Sequence, residues 1–84
     1  MKIRYTKQAL KYLRKMPASR AEDLRSALEQ IAVGSQTYHG DLIRLSNSRF
    51  FRLRIGGYRA ILDIADDELT LLVLKIGTRG DVYK

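Results

Sequence analysis

The chain contains no cysteine and no tryptophan, and only one proline and one histidine in 84 residues. Without cysteine there is no disulfide framework and no thiolate metal site, and nothing argues for export. A single histidine, His39, rules out a ribonuclease built on a histidine pair; lying beside Gly40, it reads as an exposed loop residue. No apolar run approaches the roughly 20 residues that a membrane-spanning helix needs. The N-terminal MKIRYTKQALKYL has neither the apolar core nor the cleavage site of a secretory signal. These absences point to a soluble, cytoplasmic protein with no membrane attachment. Acids are also missing where bases gather: residues 1–21 hold seven Lys and Arg and no acid, and residues 42–62 hold five and no acid. The net charge is +7. Two separate cationic regions suit a polyanion or an acidic protein partner, although charge alone fits a merely solvated basic surface equally well.

What is present is enough for one domain, residues 1–84, burying a little over about 60% of its unfolded surface. KIRYT (2–6) alternates as a short strand does. From Thr6 to Met16 the apolar residues Ala9, Leu10, Tyr12, Leu13 and Met16 recur at helical spacing, and Pro17 ends that helix. Ser19 with Glu22 fits a capping box for a second helix, whose stripe is Ala21, Leu24, Ala27, Leu28 and Ile31, with Gly34 as its stop. After the loop GSQTYHGD come LIRL (42–45), FFRLRI (50–55), YRAILDI (58–64) and LTLLVLKI (69–76). The last is nearly all apolar, as in a strand covered on both faces. Gly56-Gly57 and Ala65-Asp66-Asp67 mark tight connections, and the acids 66–68 read as turn chemistry rather than a metal site. The expected fold is α+β in the order β-α-α-β-β-β-β, a curved antiparallel sheet with an N-terminal helical hairpin packed on one face.

The stretch FRLRIGGYRAIL carries the chemistry. Alternation sends Phe51, Leu53 and Ile55 to one face and Arg52 and Arg54 to the other. A two-residue turn at Gly56-Gly57 then sets Arg54 across from Arg59, and like charges facing each other on a sheet are destabilising. Three guanidiniums, Arg52, Arg54 and Arg59, on one rigid open face suit phosphate, which Arg binds bidentately without ever losing its charge. The tail adds Arg79 and Tyr83, four residues apart. The phenol reads as a hydrogen-bond donor, an acid or base, a stacking surface or a packing group at the sheet's edge. On the first helix Lys7, Lys11, Arg14 and Lys15 form a basic face for RNA, for an acidic partner or for water alone, and Arg44 and Arg49 add charge near the strands.

FRLRIGGYRAILDI followed by LLVLKIGTRGDVYK resembles the RelE/ParE superfamily of toxin–antitoxin toxins: Arg-x-Arg on a strand, a Gly-containing turn, Tyr-Arg, then Gly-x-Arg and a Val-Tyr ending. The resemblance covers residues 42–84 well, and RYTKQALKYLRKMP fits the same architecture. It implies a single RelE-like toxin domain. RelE-type members are ribosome-dependent endonucleases that cut mRNA in the A site by attack of a ribose 2′-hydroxyl on the adjacent phosphate, without metal or cofactor. On that branch Arg52, Arg54, Arg59, Arg79 and Tyr83 fall on the catalytic positions, and Lys7, Lys11, Arg14, Lys15, Arg44 and Arg49 would touch RNA or the ribosome. ParE-type members share the fold and poison DNA gyrase without catalysis. Either branch implies an acidic cognate antitoxin, with operator DNA met only through the antitoxin complex. The retained Arg79 and Tyr83 favour the RelE-like branch. The chain departs from better-known members in having Phe50 and Arg52 where some carry two lysines, and Thr78 where many carry His or Lys.

Overall fold

The computed structural model describes residues 1–78. Strand β1 (Lys2–Tyr5) leads into helices α1 (Lys7–Lys15) and α2 (Ala18–Val33), and strands β2 (Asp41–Arg44), β3 (Phe50–Ile55), β4 (Tyr58–Ala65) and β5 (Thr70–Thr78) follow. The element order and the α+β class are those expected from the sequence. One pairing adds a detail that alternation does not encode: β1 lies parallel to β5, while the other neighbours in the order β1-β5-β4-β3-β2 are antiparallel. The sheet is therefore mixed, not wholly antiparallel as the sequence suggested. Among the described residues no helix is long and apolar enough to cross a membrane.

The two helices cover one face of the sheet. Ala9 and Leu13 of α1 and Leu24, Leu28 and Ile31 of α2 pack onto Leu53, Leu62, Leu71, Val73 and Ile76. Each of the larger side chains contributes about 1.5–3 kcal/mol by leaving water. A bulge allows β5 to serve this core along its whole length. Ile61 pairs with Lys75 and Leu62 with Val73, so Leu74 is left over. The extra residue shifts the alternation by one. Leu71 and Val73 point inward before it and Ile76 after it. The run LTLLVLKI is thus apolar because of a change of phase, not because both faces are covered as its composition suggests. Leu72, on the face away from the helices, is only half buried.

The start of α1 continues the edge that β1 leaves unfinished. The Thr6 backbone N–H donates to the Val73 carbonyl (3.1 Å) and its hydroxyl donates to the Leu74 carbonyl (2.7 Å). The same hydroxyl accepts from the Ala9 N–H and so caps the helix. Two residues on, the Gln8 amide donates to the Ile76 carbonyl (3.0 Å) and accepts from its N–H (3.1 Å), as a neighbouring strand would. Helix α2 departs from expectation: it begins at Ala18 after Pro17, Ser19 lies inside it, and no side chain caps it. Pro17 is the N-cap instead, its carbonyl accepting from the Arg20 and Ala21 N–H groups, so the helix starts two residues earlier than a capping box at Ser19 would place it. Replacing Thr6 by Ala removes a cap and leaves the Leu74 carbonyl short of a donor, and should cost about 1–2 kcal/mol in urea unfolding. Thr6→Ser keeps both bonds and should recover most of the loss.

Candidate phosphate-binding site

The register of β3 and β4 is the one the turn chemistry predicts, with Ile55 opposite Tyr58 and Arg54 opposite Arg59. Gly56 has φ +58, the positive value that the first central position of a tight hairpin turn requires, and an L residue there is strained. Tyr58 turns inward to meet Tyr12 of α1 edge to face, with ring centroids 6.4 Å apart. Arg59 is therefore turned outward, onto the face without helices. There Arg54, Gly56, Gly57 and Arg59 line an open concavity of about 370 Å³.

The cross-strand rows define the rest of this face. Asp41, Arg54, Arg59 and Gly77 lie side by side in one row, and Ile43, Arg52, Ile61 and Lys75 in the next. Asp41 binds both arginines of β3: one carboxylate oxygen accepts from Arg52 Nη2 at 2.5 Å and the other lies 3.3 Å from Arg54 Nε. The Arg52 side chain is 12% exposed, and its Nε is buried with no hydrogen-bond partner among the described residues. Arg54 is 45% exposed. The three guanidiniums thus have different surroundings. Arg52 is a nearly buried cation held by Asp41, whereas Arg54 and Arg59 flank the open concavity.

Other candidate residues are placed more widely. Arg44 lies on the helix-facing side of the sheet, opposite Phe51, with its guanidinium carbon 6.0 Å from that ring's centroid and its Nε donating to the Ser48 carbonyl. Arg49 pairs with Asp63 at 3.1 Å. Lys7, Lys11, Arg14 and Lys15 are exposed on α1, and Lys11 and Lys15 share a shallow cleft with Gln8 and Tyr12. Arg79 and Tyr83 lie outside the described residues. Two residues of this region carry no signal in the FRLRIGGYR motif. Asp41 would have been found by aligning LIRL with FFRLRI so that Leu42 meets Leu53, which sets Asp41 against Arg54. Arg20 reaches the hairpin from α2, its Cζ and Nη1 lying 3.4 Å from where a β-carbon on Gly56 would stand.

The sequence model describing the ParE toxin of type II toxin–antitoxin systems, parDE, matches residues 3–83. The chain belongs to the ParE toxin family. No curated protein gives a significant match. Among solved structures, the RelE of the archaeal RelE–RelB complex from Pyrococcus horikoshii OT3 has a TM-score of 0.82 at 21% identity, covering 95% of this chain and 96% of that one. The intact E. coli RelBE toxin–antitoxin complex gives 0.78 at 18%, covering 93% and 95%. RelBE2 from Mycobacterium tuberculosis gives 0.71 at 23%, covering 93% and 96%. At these identities the likeness is one of fold.

In this toxin Asp41 has two opposing effects, since it stabilises the arginine pair on β3 and competes with any anion that approaches. Asp41→Asn should lower stability by about 1–3 kcal/mol, because it leaves the nearly buried Arg52 without its counter-ion. The same change should tighten binding of inorganic phosphate, measured by calorimetry. A second, pH-linked effect lies beside it. Burial, reinforced by the Asp41 charge, raises the Tyr38 phenol above its ordinary value of 10.0. Its protonated form is favoured by folding, so this contribution is complete below pH 10 and is lost as pH rises through the folded value. Tyr38→Phe should flatten the loss of stability above pH 10.

Proposed function

We propose that this type II toxin inhibits translation by cutting mRNA on the ribosome, as a metal-independent endoribonuclease. The observation that carries this reading is the facing Arg54–Arg59 pair on either side of an open concavity at the hairpin turn. An anion with several oxygens relieves the repulsion between two guanidiniums that the register forces together. In the reaction the ribose 2′-oxygen bonds to the adjacent phosphorus and the bond to the 5′-oxygen breaks. The products are a 2′,3′-cyclic phosphate and a 5′-hydroxyl, and the proton lost from the 2′-hydroxyl is balanced by one delivered to the leaving oxygen. Arg54 and Arg59 would grip the phosphoryl oxygens as charge builds, each worth about 10²–10³ in rate. Arg52, in the neighbouring row and held by Asp41, would add a further guanidinium to the grip on the backbone. Arg79 would meet the developing charge and Tyr83 would orient or protonate.

The partners implied are mRNA in the ribosomal A site and an acidic antitoxin that covers the basic surface. The solved relatives are described as toxin–antitoxin complexes, which supports the latter. A second reading rests on the family match itself, because ParE-type toxins poison DNA gyrase without catalysis. Primer extension on a message under translation in a purified system separates the two. Cleavage confined to ribosome-engaged message, and reduced about 10²-fold or more in Arg59→Ala, is the expected result. An intact message together with blocked DNA supercoiling would transfer the protein to the gyrase reading.

A further inference from the structure

Among the described residues nothing requires glycine at position 57. Its φ lies outside the positive range that excludes side chains, and a β-carbon there would meet none of the described residues within 4 Å. Gly56, by contrast, is required by its φ of +58. The bare position at 57 leaves the backbone of the turn open between Arg54 and Arg59. On the far side of the same turn lies Arg20, whose guanidinium rests against Gly56. Arg20 breaks a local rule of its own. It is a cation in the first turn of α2, a turn with no acidic residue and no side-chain cap, where the helix dipole favours negative charge. Its ion pair with Asp23 is long at 3.5 Å and half exposed on both sides. Three guanidiniums therefore surround a hairpin tip stripped of side chains, and two of the three placements, Arg59 against Arg54 and Arg20 at a helix start, set a cation where a like charge or the helix dipole disfavours it and only a carboxylate on one side offsets this.

We infer that a single-stranded RNA backbone crosses the Gly56–Gly57 tip like a saddle, held by Arg54 and Arg59 on the sheet's open face and by Arg20 on the helical side. This deepens the reading of the toxin as an mRNA nuclease and rests on it for the choice of RNA over other polyanions. Phosphates along a strand are spaced by one nucleotide, so a chain leaving the Arg54–Arg59 concavity presents its next phosphate beyond the tip. A side chain at 57 would stand in that path, and a neutral residue at 20 would leave the second phosphate without a partner. Arg20 acts here as a positioning residue that fixes the strand's exit direction.

The test uses the full chain and a short fluorescent RNA of 2′-O-methyl nucleotides, which cannot be cut. Anisotropy is measured across a range of KCl, and thermal unfolding is followed for every variant. Arg20→Gln should weaken binding roughly tenfold and reduce the salt slope by about 0.7, the value for one phosphate contact on a single strand. Gly57→Leu should weaken binding with the slope unchanged, because it obstructs without removing charge. Both should unfold at the parent's temperature. If Arg54→Gln and Arg59→Gln weaken binding while Arg20→Gln and Gly57→Leu bind as the parent does, the path over the tip is wrong and the nuclease reading survives. If no variant weakens binding, the phosphate grip fails altogether. Loss of hold on a poly-glutamate peptide by Arg20→Gln, with RNA binding intact, would make the tip a protein surface and overturn the inference. Weakened RNA binding in the variants beside an uncut translated message would leave the path standing and remove the nuclease.

Discussion

Everything distinctive about the open face follows from one enforced contact, Arg54 opposite Arg59. The contact is not a choice of side-chain rotamer. It is fixed by a two-residue turn whose first glycine takes a positive φ, and by the inward packing of Phe51, Leu53 and Ile55 on one strand and of Tyr58 and Ala60 on the other. A slip of one residue would separate the arginines, but it would also turn the whole apolar set to solvent. The core holds the repulsion in place. Many kilocalories of apolar burial stand against a cross-strand penalty of at most about 1 kcal/mol.

Around that contact the fold supplies partial compensation. Asp41, on the short edge strand β2, neutralises Arg52 and half-neutralises Arg54, and leaves Arg59 as the less shielded partner. Ile43 and Ile61 flank Arg52 in its row, and Arg52 is the more buried of the two β3 arginines, while in the next row Arg54 is exposed and Arg59 half-buried. A carboxylate in the site also means that any incoming phosphate competes with a tethered anion. The edge position of β2 matters here, since an edge strand of four residues is held by one neighbour only.

Much of this was legible in the sequence, because the local signals agree with one another. The residues FFRLRI and YRAILDI alternate cleanly and the glycine pair sets the register, so the faces of Arg52, Arg54 and Arg59 could be read directly. Membership of the toxin family was legible from the same stretch. The parts that were not legible depend on contacts between segments distant in sequence. The parallel docking of β1 on β5 is continued by Thr6 and Gln8, whose side chains bond to backbone sixty-eight residues away. The bulge at Leu74 lies in a run so uniformly apolar that no change of phase is visible in it. Asp41 and Arg20 look like ordinary surface charges until the register of β2 and the start of α2 are known. Arg44 was legible only as charge near the strands, and its pairing with Phe51 sets it on the helix-facing side of the sheet.

The central claim is that the facing arginines form an anion-binding site rather than a solvated surface. A double-mutant cycle on Arg54→Gln and Arg59→Gln, followed by urea unfolding first in chloride and then with added inorganic phosphate, tests it most directly. In chloride the pair should couple unfavourably by a few tenths to about 1 kcal/mol. With phosphate only the parent should gain stability, and the coupling should change sign. Zero coupling in chloride together with no response to phosphate would contradict the account.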